Sequence, residues 1–259
     1  MMLCVYVLTG LLGVCVGSFL NVVIYRLPKG MSLASPGSHC PGCGYSLRWF
    51  DNVPVLSYVF LGGKCRKCKS PISPRYMLVE LCNMGLWLLA AGLFWGKSPV
   101  YACMVMVVSS VLICIFCIDL EHMLIFNRFS VLVALGGVVA AVVAPNSRWY
   151  DHVIGGVVAG GVFWLLYRAC IAVLQQEGLG FGDVKYAAAA GLLLGWQKFL
   201  LAILVASIAG AVVMTAINRV KGADKRTEHP FGPYLVTGTL LALFFGDGII
   251  AWYLDLVLF

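Results

Sequence analysis

Charged residues are scarce in this chain. Only 11% of its 259 residues are Asp, Glu, Lys or Arg, whereas 61% are hydrophobic, and the mean hydropathy is +0.95. This composition excludes an ordinary soluble globular domain and is typical of an all-α polytopic membrane protein. Because one crossing of the hydrocarbon takes about 20 mostly apolar residues, the chain has room for about eight spans and one small polar region. We therefore expect a lipid bilayer around it and no nucleic-acid partner.

The N-terminus lacks the features of a cleaved secretory signal. The apolar run 1–25 has no basic segment before it and no small-residue cleavage site, and it is longer than the apolar core of a signal peptide. We expect a retained first span at 2–25. The other predicted spans are 76–95, 99–118, 129–144, 152–174, 184–195, 199–217 and 231–258. Small residues in the sixth predict close helix packing, and the Gly246-Asp247-Gly248 triplet favours a break in the eighth.

Basic residues are almost absent from one set of the predicted connections. Fifteen of the 18 Lys and Arg residues fall on the side that holds the 26–75 segment, and three, Lys97, Arg148 and Lys198, fall on the other. Since cytoplasmic connections carry the excess of basic residues, the pattern predicts an N-terminus outside the membrane and a cytoplasmic 26–75 loop.

This loop contains four of the 11 cysteines in a regular pattern. Two CxxC pairs are separated by 21 residues: Cys40, Cys43, Cys65 and Cys68. Four thiolates at this spacing are typical of a tetrahedral zinc site, and a metal would supply folding free energy that a loop of this size lacks. Two disulfides or idle thiols are the alternatives, although a reducing cytoplasm disfavours disulfides. The loop carries eight basic residues and a single acid, Asp51, which suits anionic lipid headgroups.

Two aspartates lie at predicted span ends on the cytoplasmic side. Asp119 closes the third predicted span, and Asp183 precedes the sixth, after Gly180 and Gly182. Each could be an ordinary interfacial acid, with Asp183 as a helix N-cap. If they face each other, one carboxyl can activate water while the other protonates a leaving amine, as in aspartyl proteases. The glycines would allow close approach of an extended substrate in this active-site loop.

The chain resembles the bacterial type IV prepilin peptidases, which belong to the GxGD class of intramembrane aspartyl proteases. The resemblance runs nearly from end to end and includes several long motifs in the same order. They are the segment 17–28, the two CxxC pairs with Asp51-Asn52-Val53-Pro54 between them, 72–76 followed by Glu80, Asp119, 178–185 and 230–233.

The resemblance implies two activities in the bacterial inner membrane. Members of this family remove a short basic leader from prepilins or pseudopilins, then methylate the new N-terminal amine with S-adenosylmethionine. It implies that Asp119 and Asp183 are catalytic and that the four loop cysteines bind structural zinc. Glu80 matches a family acid and becomes a candidate for methyl transfer; alternatively, it is a buried acid paired with Arg75 or Asn83. One departure is Phe126, where the family usually has proline.

These inferences divide the chain into a first span at 1–25, a zinc-binding loop associated with methyl transfer at 26–75 and a peptidase domain at 76–259. A small proton- or cation-coupled transporter that uses Asp119 and Asp183 is the alternative function. The absence of internal repeats with matched broken helices disfavours it. A third interpretation makes the loop a binding module on a membrane anchor, for which eight spans are excessive.

Overall fold

The structure is a computed structural model that describes residues 2–145, 147–174, 180–221 and 230–258. Within these ranges the regular structure is helical, and β-pairing is limited to two isolated bridges in the polar loop. The helices are α1 (Met2–Arg26), α2 (Leu56–Phe60), α3 (Arg75–Phe94), α4 (Pro99–His122), α5 (Asn127–Val143), α6 (Trp149–Leu174), α7 (Phe181–Leu194), α8 (Trp196–Lys221) and α9 (Gly232–Leu258). The chain forms two compact units, which divide between Gly92 and Leu93.

The first unit is built on an antiparallel contact between α1 and α3. A Cβ added to Gly17 would lie 2.8 Å from the Glu80 Cα, and one added to Gly13 would lie 3.1 Å from the Met84 Cα. Small residues on α1 thus allow the two backbones to approach closely, as is usual where lipid supplies no hydrophobic driving force. Asn83 strengthens the contact, since its Nδ2 donates to the Gly13 carbonyl at 2.7 Å.

The second unit contains α4 to α9, with α4 largely buried. The short helix α7 packs closely on α6, where a Cβ on Gly191 would overlap the Gly155 carbonyl oxygen. The predicted close packing of this small-residue helix is therefore confirmed. Toward α9, the fully buried Tyr186 hydroxyl donates to Thr239 Oγ1 at 3.0 Å, so a polar bond also fixes α7.

The helices follow the predicted spans within a few residues, but their lengths differ. Among the described residues, six helices are long and apolar enough to cross a membrane: α1, α3, α4, α6, α8 and α9. The helix α5 has 17 residues and α7 only 14. At 1.5 Å per residue α7 is about 21 Å long, against a hydrocarbon core of about 30 Å. The count of eight full spans therefore stays a prediction.

The predicted break in the last span is wrong, because α9 runs without interruption through Gly246-Asp247-Gly248. The structure gives a packing reason for Gly246. A Cβ there would lie 3.0 Å from the side chain of Lys198, whose Nζ is 2.8 Å from Asp247 Oδ1. This glycine accommodates an ion-paired lysine from α8 and leaves the backbone helical.

Candidate active site and metal site

Asp119 lies in the last turn of α4, inside the helix and not just beyond it. The helix ends at His122, and the C-cap Met123 has a left-handed conformation with φ of 52° and donates its N–H to the Asp119 carbonyl at 2.9 Å. The Asp119 side chain is buried, with 5% of the residue exposed. Gly232, the first residue of α9, lies directly against it, since a Cβ there would overlap the carboxylate Oδ2. The positive end of the α9 dipole is thus beside this acid.

Asp183 occupies the first turn of α7. The N-cap is Gly180 and not Asp183, so the interpretation of Asp183 as an N-cap is wrong. As the third helical residue, Asp183 donates its own N–H to the Gly180 carbonyl at 3.0 Å. A Cβ on Gly180 would lie 3.2 Å from the Asp183 carboxylate, so the glycine permits this acid to fold back over the start of the helix. A carboxylate in this position also complements the α7 dipole.

Ile125 connects the surroundings of the two aspartates. A Cβ on Gly182 would lie 3.2 Å from the Ile125 Cβ, and a Cβ on Gly232 would lie 3.3 Å from the Ile125 Cδ1. The starts of α7 and α9 therefore meet around the connection that follows α4. The charge of Asp119 acts on the carboxyl group of Asp183. The structure thus brings together two acids that are 64 positions apart in the sequence.

Both aspartates have an oxygen atom without a protein partner. Oδ2 of Asp119 and Oδ1 of Asp183 are buried, and no described residue makes a well-aligned hydrogen bond to either atom, although the N–H groups of Gly232 and Gly180 lie near the two carboxyl groups. Burial of a polar group without a partner is costly, so such atoms commonly face a shared proton, a water molecule or a ligand. The arrangement therefore has unused hydrogen-bonding capacity where a reacting group could bind.

The two CxxC pairs form knuckles with the same local structure. We call residues 39–46 the first knuckle and residues 64–71 the second knuckle. In both, the N–H of the leading cysteine donates to the carbonyl five residues later at 2.9 Å, and its carbonyl accepts from the N–H four residues later, at 2.9 and 3.0 Å. That fourth residue has a positive φ, 67° at Gly44 and 60° at Lys69. The two halves of the site are therefore structural repeats.

The four sulfurs of the knuckles form one cluster. All four Sγ atoms lie within 4.8 Å of one another, and those of Cys40 and Cys68 are 3.8 Å apart. A tetrahedral zinc with Zn–S bonds of about 2.3 Å requires sulfurs about 3.8 Å apart, so the cluster fits this ion. The backbone N–H of Gly42, followed by that of Cys43, overcomes the effect of burial and lowers the pKa of the Cys40 thiol to about 6. The cysteines are free, which disfavours the disulfide alternative.

A buried acid joins the two knuckles. Asp51 accepts from Arg66 Nε at 2.6 Å and from the Tyr45 hydroxyl at 3.1 Å, so it is bonded to one residue of each knuckle. Burial acts to raise the pKa of Asp51, but the bonds from Arg66, the Arg48 N–H and Tyr45 outweigh it and hold the pKa below its usual value. This role of Asp51 was not predicted, although the loop contains no other acid.

Glu80 is buried and bonded to the loop that precedes its helix. Its Oε2 accepts the Val55 N–H at 2.7 Å, and Ser18 of α1 also donates to its carboxylate. Val55 has φ of 60° and ψ of −53°, and the Leu56 N–H donates to the Pro54 carbonyl at 2.6 Å. This is a γ-turn with positive φ at a β-branched residue, a rare and strained conformation. Glu80 stabilises it, a contact that its sequence position did not reveal.

Comparison with known families places these features in context. Residues 11–94 match the family model described as Bacterial Peptidase A24 N-terminal domain, and residues 106–215 match the model of the Type IV leader peptidase family. The prepilin leader peptidase/N-methyltransferase of Aeromonas hydrophila is 33% identical over 269 residues, covering 94% of this chain and 92% of the relative. The chain belongs to the type IV leader peptidase family.

Two further relatives carry the same name. The prepilin leader peptidase/N-methyltransferase of Pseudomonas aeruginosa is 34% identical over 95% of this chain and 92% of its own length. That of Myxococcus xanthus is 38% identical over 84% of this chain and 65% of its own length. No solved structure matches the chain. The first family match contains the knuckles and Glu80, whereas the second contains both aspartates.

Phe126 was expected from the resemblance to replace a proline of the family. It is the N-cap of α5, with φ of −71° and ψ of 134°. Because proline fixes φ near −65°, the backbone has the torsion that proline would impose. The Phe126 ring contacts that of Phe129 edge to face, with ring centres 6.2 Å apart. Phe126 thus adds a ring contact next to Ile125, and its backbone has a φ that proline could also adopt.

Sequence reasoning missed Gly232 and Ser70. Gly232 lies against Asp119, and the sequence singled it out only as part of the motif Pro230-Phe231-Gly232-Pro233, without a role. Ser70 Oγ is 3.0 Å from Cys68 Sγ and 3.8 Å from Cys40 Sγ, beside the sulfur cluster. It follows the second CxxC pair by two residues, a position that no general spacing rule singles out.

Proposed function

We propose that the protein is a membrane-embedded aspartyl peptidase that removes the leader of type IV prepilins or pseudopilins and then N-methylates the new N-terminal residue. Membership of the type IV leader peptidase family and the names of the relatives support both activities. The observation that supports the peptidase assignment is the location of Asp119 and Asp183 around Ile125, each with a buried oxygen that lacks a well-aligned protein partner. The comparisons give no support to the transporter alternative.

In the proposed cleavage step the two carboxyl groups share one proton. The ionised acid takes a proton from water as the water oxygen attacks the carbonyl carbon of the scissile peptide. The protonated acid donates its proton to the leaving nitrogen, and the C–N bond breaks to give a carboxylate and a new amine. Gly180 and Gly182 keep the approach to Asp183 free of side chains. The α7 and α9 dipoles favour the ionised acid.

We assign methyl transfer to the first unit, which ends at Gly92. S-adenosylmethionine would supply the methyl group: the amine nitrogen would form the new N–C bond with loss of a proton, while the sulfonium S–C bond breaks and S-adenosylhomocysteine leaves. We propose that Cys40, Cys43, Cys65 and Cys68 hold a structural zinc that keeps the loop folded. Glu80 remains a candidate for methyl transfer, and its bond to Val55 favours a role in positioning the loop.

The proposed topology places this chemistry at the cytoplasmic face of the inner membrane. The distribution of basic residues supports an N-terminus outside and the loop, Asp119 and Asp183 inside. The leader of a prepilin would then meet the aspartates before its hydrophobic helix leaves the membrane. Reagents that do not cross the membrane should modify a cysteine introduced at position 46 only after the cells are opened.

One experiment tests both activities. Purified protein in lipid nanodiscs is incubated with a synthetic prepilin and isotope-labelled S-adenosylmethionine, and the products are weighed by mass spectrometry. We expect loss of the leader and addition of one labelled methyl group to the new N-terminus. An intact prepilin after prolonged incubation with the zinc-loaded protein would refute the peptidase assignment.

A further inference from the structure

The short helix α2 has its apolar side turned outward. Leu56, Val59 and Phe60 are 55%, 61% and 85% exposed. Their spacing of three and four residues places them on one side of the helix, which we call the apolar face of α2. A helix surrounded by water normally turns such a face toward a core. Its outward orientation indicates that something other than water covers it.

The orientation of α2 is fixed by contacts on its other side. The Tyr58 hydroxyl donates to the Ile72 carbonyl at 3.4 Å. A Cβ on Gly63 would lie 3.0 Å from the same hydroxyl oxygen, so this glycine allows the ring to pack on the turn after α2. The helix is therefore held against its own loop through Tyr58, and its apolar face is directed outward by that packing.

The position of α2 relative to α3 sets its depth. Val55, the residue before α2, is bonded to Glu80, which lies five residues after the start of α3. At 1.5 Å per residue this point is about 7.5 Å along the axis of α3. Since α3 is long and apolar enough to cross a membrane, α2 begins beside the segment where α3 enters the bilayer. The strained turn at Val55 holds it there.

The surroundings of the apolar face match a lipid surface. Trp49, which is 81% exposed, lies in the 3₁₀ turn Trp49–Asn52 next to α2, and tryptophan prefers the membrane interface. Lys64, Lys67 and Lys69 are exposed in the second knuckle. The one acid of the loop, Asp51, is buried and bonded to Arg66. The exposed charge is therefore positive and complements anionic headgroups.

We propose that the apolar face of α2, together with Trp49, inserts into the headgroup region of the adjacent leaflet and holds the two knuckles at the membrane surface. The partner is the lipid bilayer itself. The inference depends on α3 crossing the membrane and on neither the peptidase nor the methyltransferase activity. It also assigns different roles to the basic residues, because Arg66 is engaged by Asp51 whereas the three lysines remain available to headgroups.

Photo-crosslinking in the full-length protein tests the proposal. The photoreactive amino acid p-benzoylphenylalanine is placed at position 60, or at the exposed position 46 of the first knuckle as a control, in vesicles of phosphatidylcholine and phosphatidylglycerol. We expect a lipid adduct at position 60 and none at position 46. Equal adducts at both positions, or none at position 60, would overturn the proposal. Capture of an added prepilin peptide at position 60 in place of lipid would overturn it too, by identifying the face as a substrate site.

A second measurement guards against a variant that fails to fold. Brominated acyl chains quench tryptophan fluorescence, and the Trp49 contribution is the difference between the wild-type protein and Trp49→Phe. The double variant Leu56→Ser/Phe60→Ser should lose this quenching while it keeps one zinc per chain and normal resistance to limited proteolysis. Unchanged quenching of Trp49 in that variant would contradict insertion.

Discussion

The sulfur cluster and the aspartate pair are built in opposite ways. The four sulfurs come from two local repeats, and each knuckle supplies its own backbone hydrogen bonds. The two aspartates come from the ends of different helices, and their environment depends on Gly182 and Gly232, which reach Ile125 from distant parts of the sequence. The first site is specified by spacing within a short segment, whereas the second exists only after the helices pack. Disruption should therefore spread differently through the two sites.

Loss of one aspartate should give the largest effect. We expect Asp119→Asn or Asp183→Asn to reduce leader cleavage by about 10²–10⁴-fold, because each acid supplies one half of the proton transfer. Zinc content and methylation of a peptide that already lacks its leader should remain. Cleavage is measured by mass spectrometry in single-turnover reactions.

A matched control for this prediction is Asp247→Asn. Asp247 pairs with Lys198 and is exposed, so its replacement should leave cleavage near the wild-type rate. Cleavage by Asp183→Asn at a rate similar to that of this control would remove Asp183 from the mechanism.

The effects of losing a metal ligand should be confined mainly to the loop. We expect Cys65→Ser, or removal of zinc by a chelator, to abolish most methylation and to expose residues 26–75 to proteases, since the metal supplies much of the loop's folding free energy. Cleavage should fall less. Metal content, proteolysis and both product yields are measured, with the exposed Cys15→Ser as the control. A parallel collapse of cleavage and methylation would show that the loop also builds the peptidase site.

A single added methyl group at Gly232 should damage the packed site. In Gly232→Ala the Cβ would overlap the Asp119 carboxylate, so we expect cleavage to fall roughly tenfold, the cost of about 1.4 kcal/mol in the transition state. Methylation of a leaderless peptide should not change. Gly248→Ala on the same helix is the control, because nothing lies within 4 Å of its Cβ. If the two variants cleave equally well, the contact with Asp119 has no catalytic consequence.

Glu80 can be tested by two substitutions that separate positioning from proton transfer. Glu80→Gln retains an oxygen that accepts the Val55 N–H, whereas Glu80→Ala leaves that N–H without its partner, at a cost of about 1–3 kcal/mol. A positioning role predicts that methylation and loop stability survive in the Gln variant and fall in the Ala variant. Hydrogen exchange of the loop and methylation rates are compared. Loss of methylation in a stably folded Gln variant would instead identify a proton-transfer role.

The smallest effect should distinguish the two knuckles from each other. Gly44 and Lys69 occupy equivalent positions with positive φ, which glycine adopts freely and lysine does not. We expect Gly44→Ala to destabilise the loop by about 1 kcal/mol and Lys69→Gly to stabilise it by about 0.5 kcal/mol or less. The rate of zinc release to a chelator reports both changes. Slower zinc release from Gly44→Ala, or faster release from Lys69→Gly, would mean that the two positions are not equivalent.

The sequence predicted most of what depends on composition and local spacing. Hydrophobic runs located the helices because burial in lipid requires continuous apolar length, and the CxxC spacing located the sulfur cluster. Helix ends were less well predicted, since polar residues such as Glu121 and His122 continue α4 beyond its apolar run. The break expected at Gly246-Asp247-Gly248 was wrong because Lys198, a residue of another helix, decides the packing there.

Contacts between distant segments could not be predicted. Nothing in the sequence around Val55 indicates that this residue has a positive φ. The strained turn is stabilised by Glu80, which lies on another element. Likewise, Gly232 is recognisable as a turn residue but not as a neighbour of Asp119. Both belong to tertiary packing, which the pattern along the chain does not encode locally. The roles of Asp119, Asp183, Gly180, Gly182 and Glu80 stay predictions until the variants are measured.

The 14-residue length of α7 has a consequence for how water reaches the aspartates. If α7 crosses the membrane as predicted, its length of about 21 Å is less than the hydrocarbon thickness, so the bilayer next to its bundle must thin or its flanking residues must reach toward the headgroups. Either adjustment brings the aqueous boundary closer to the ends of α7, and Asp183 lies in its first turn. Hydrolysis at a membrane-embedded bond needs a supply of water, and a short helix can provide it through a local depression of the bilayer, without a channel through the protein.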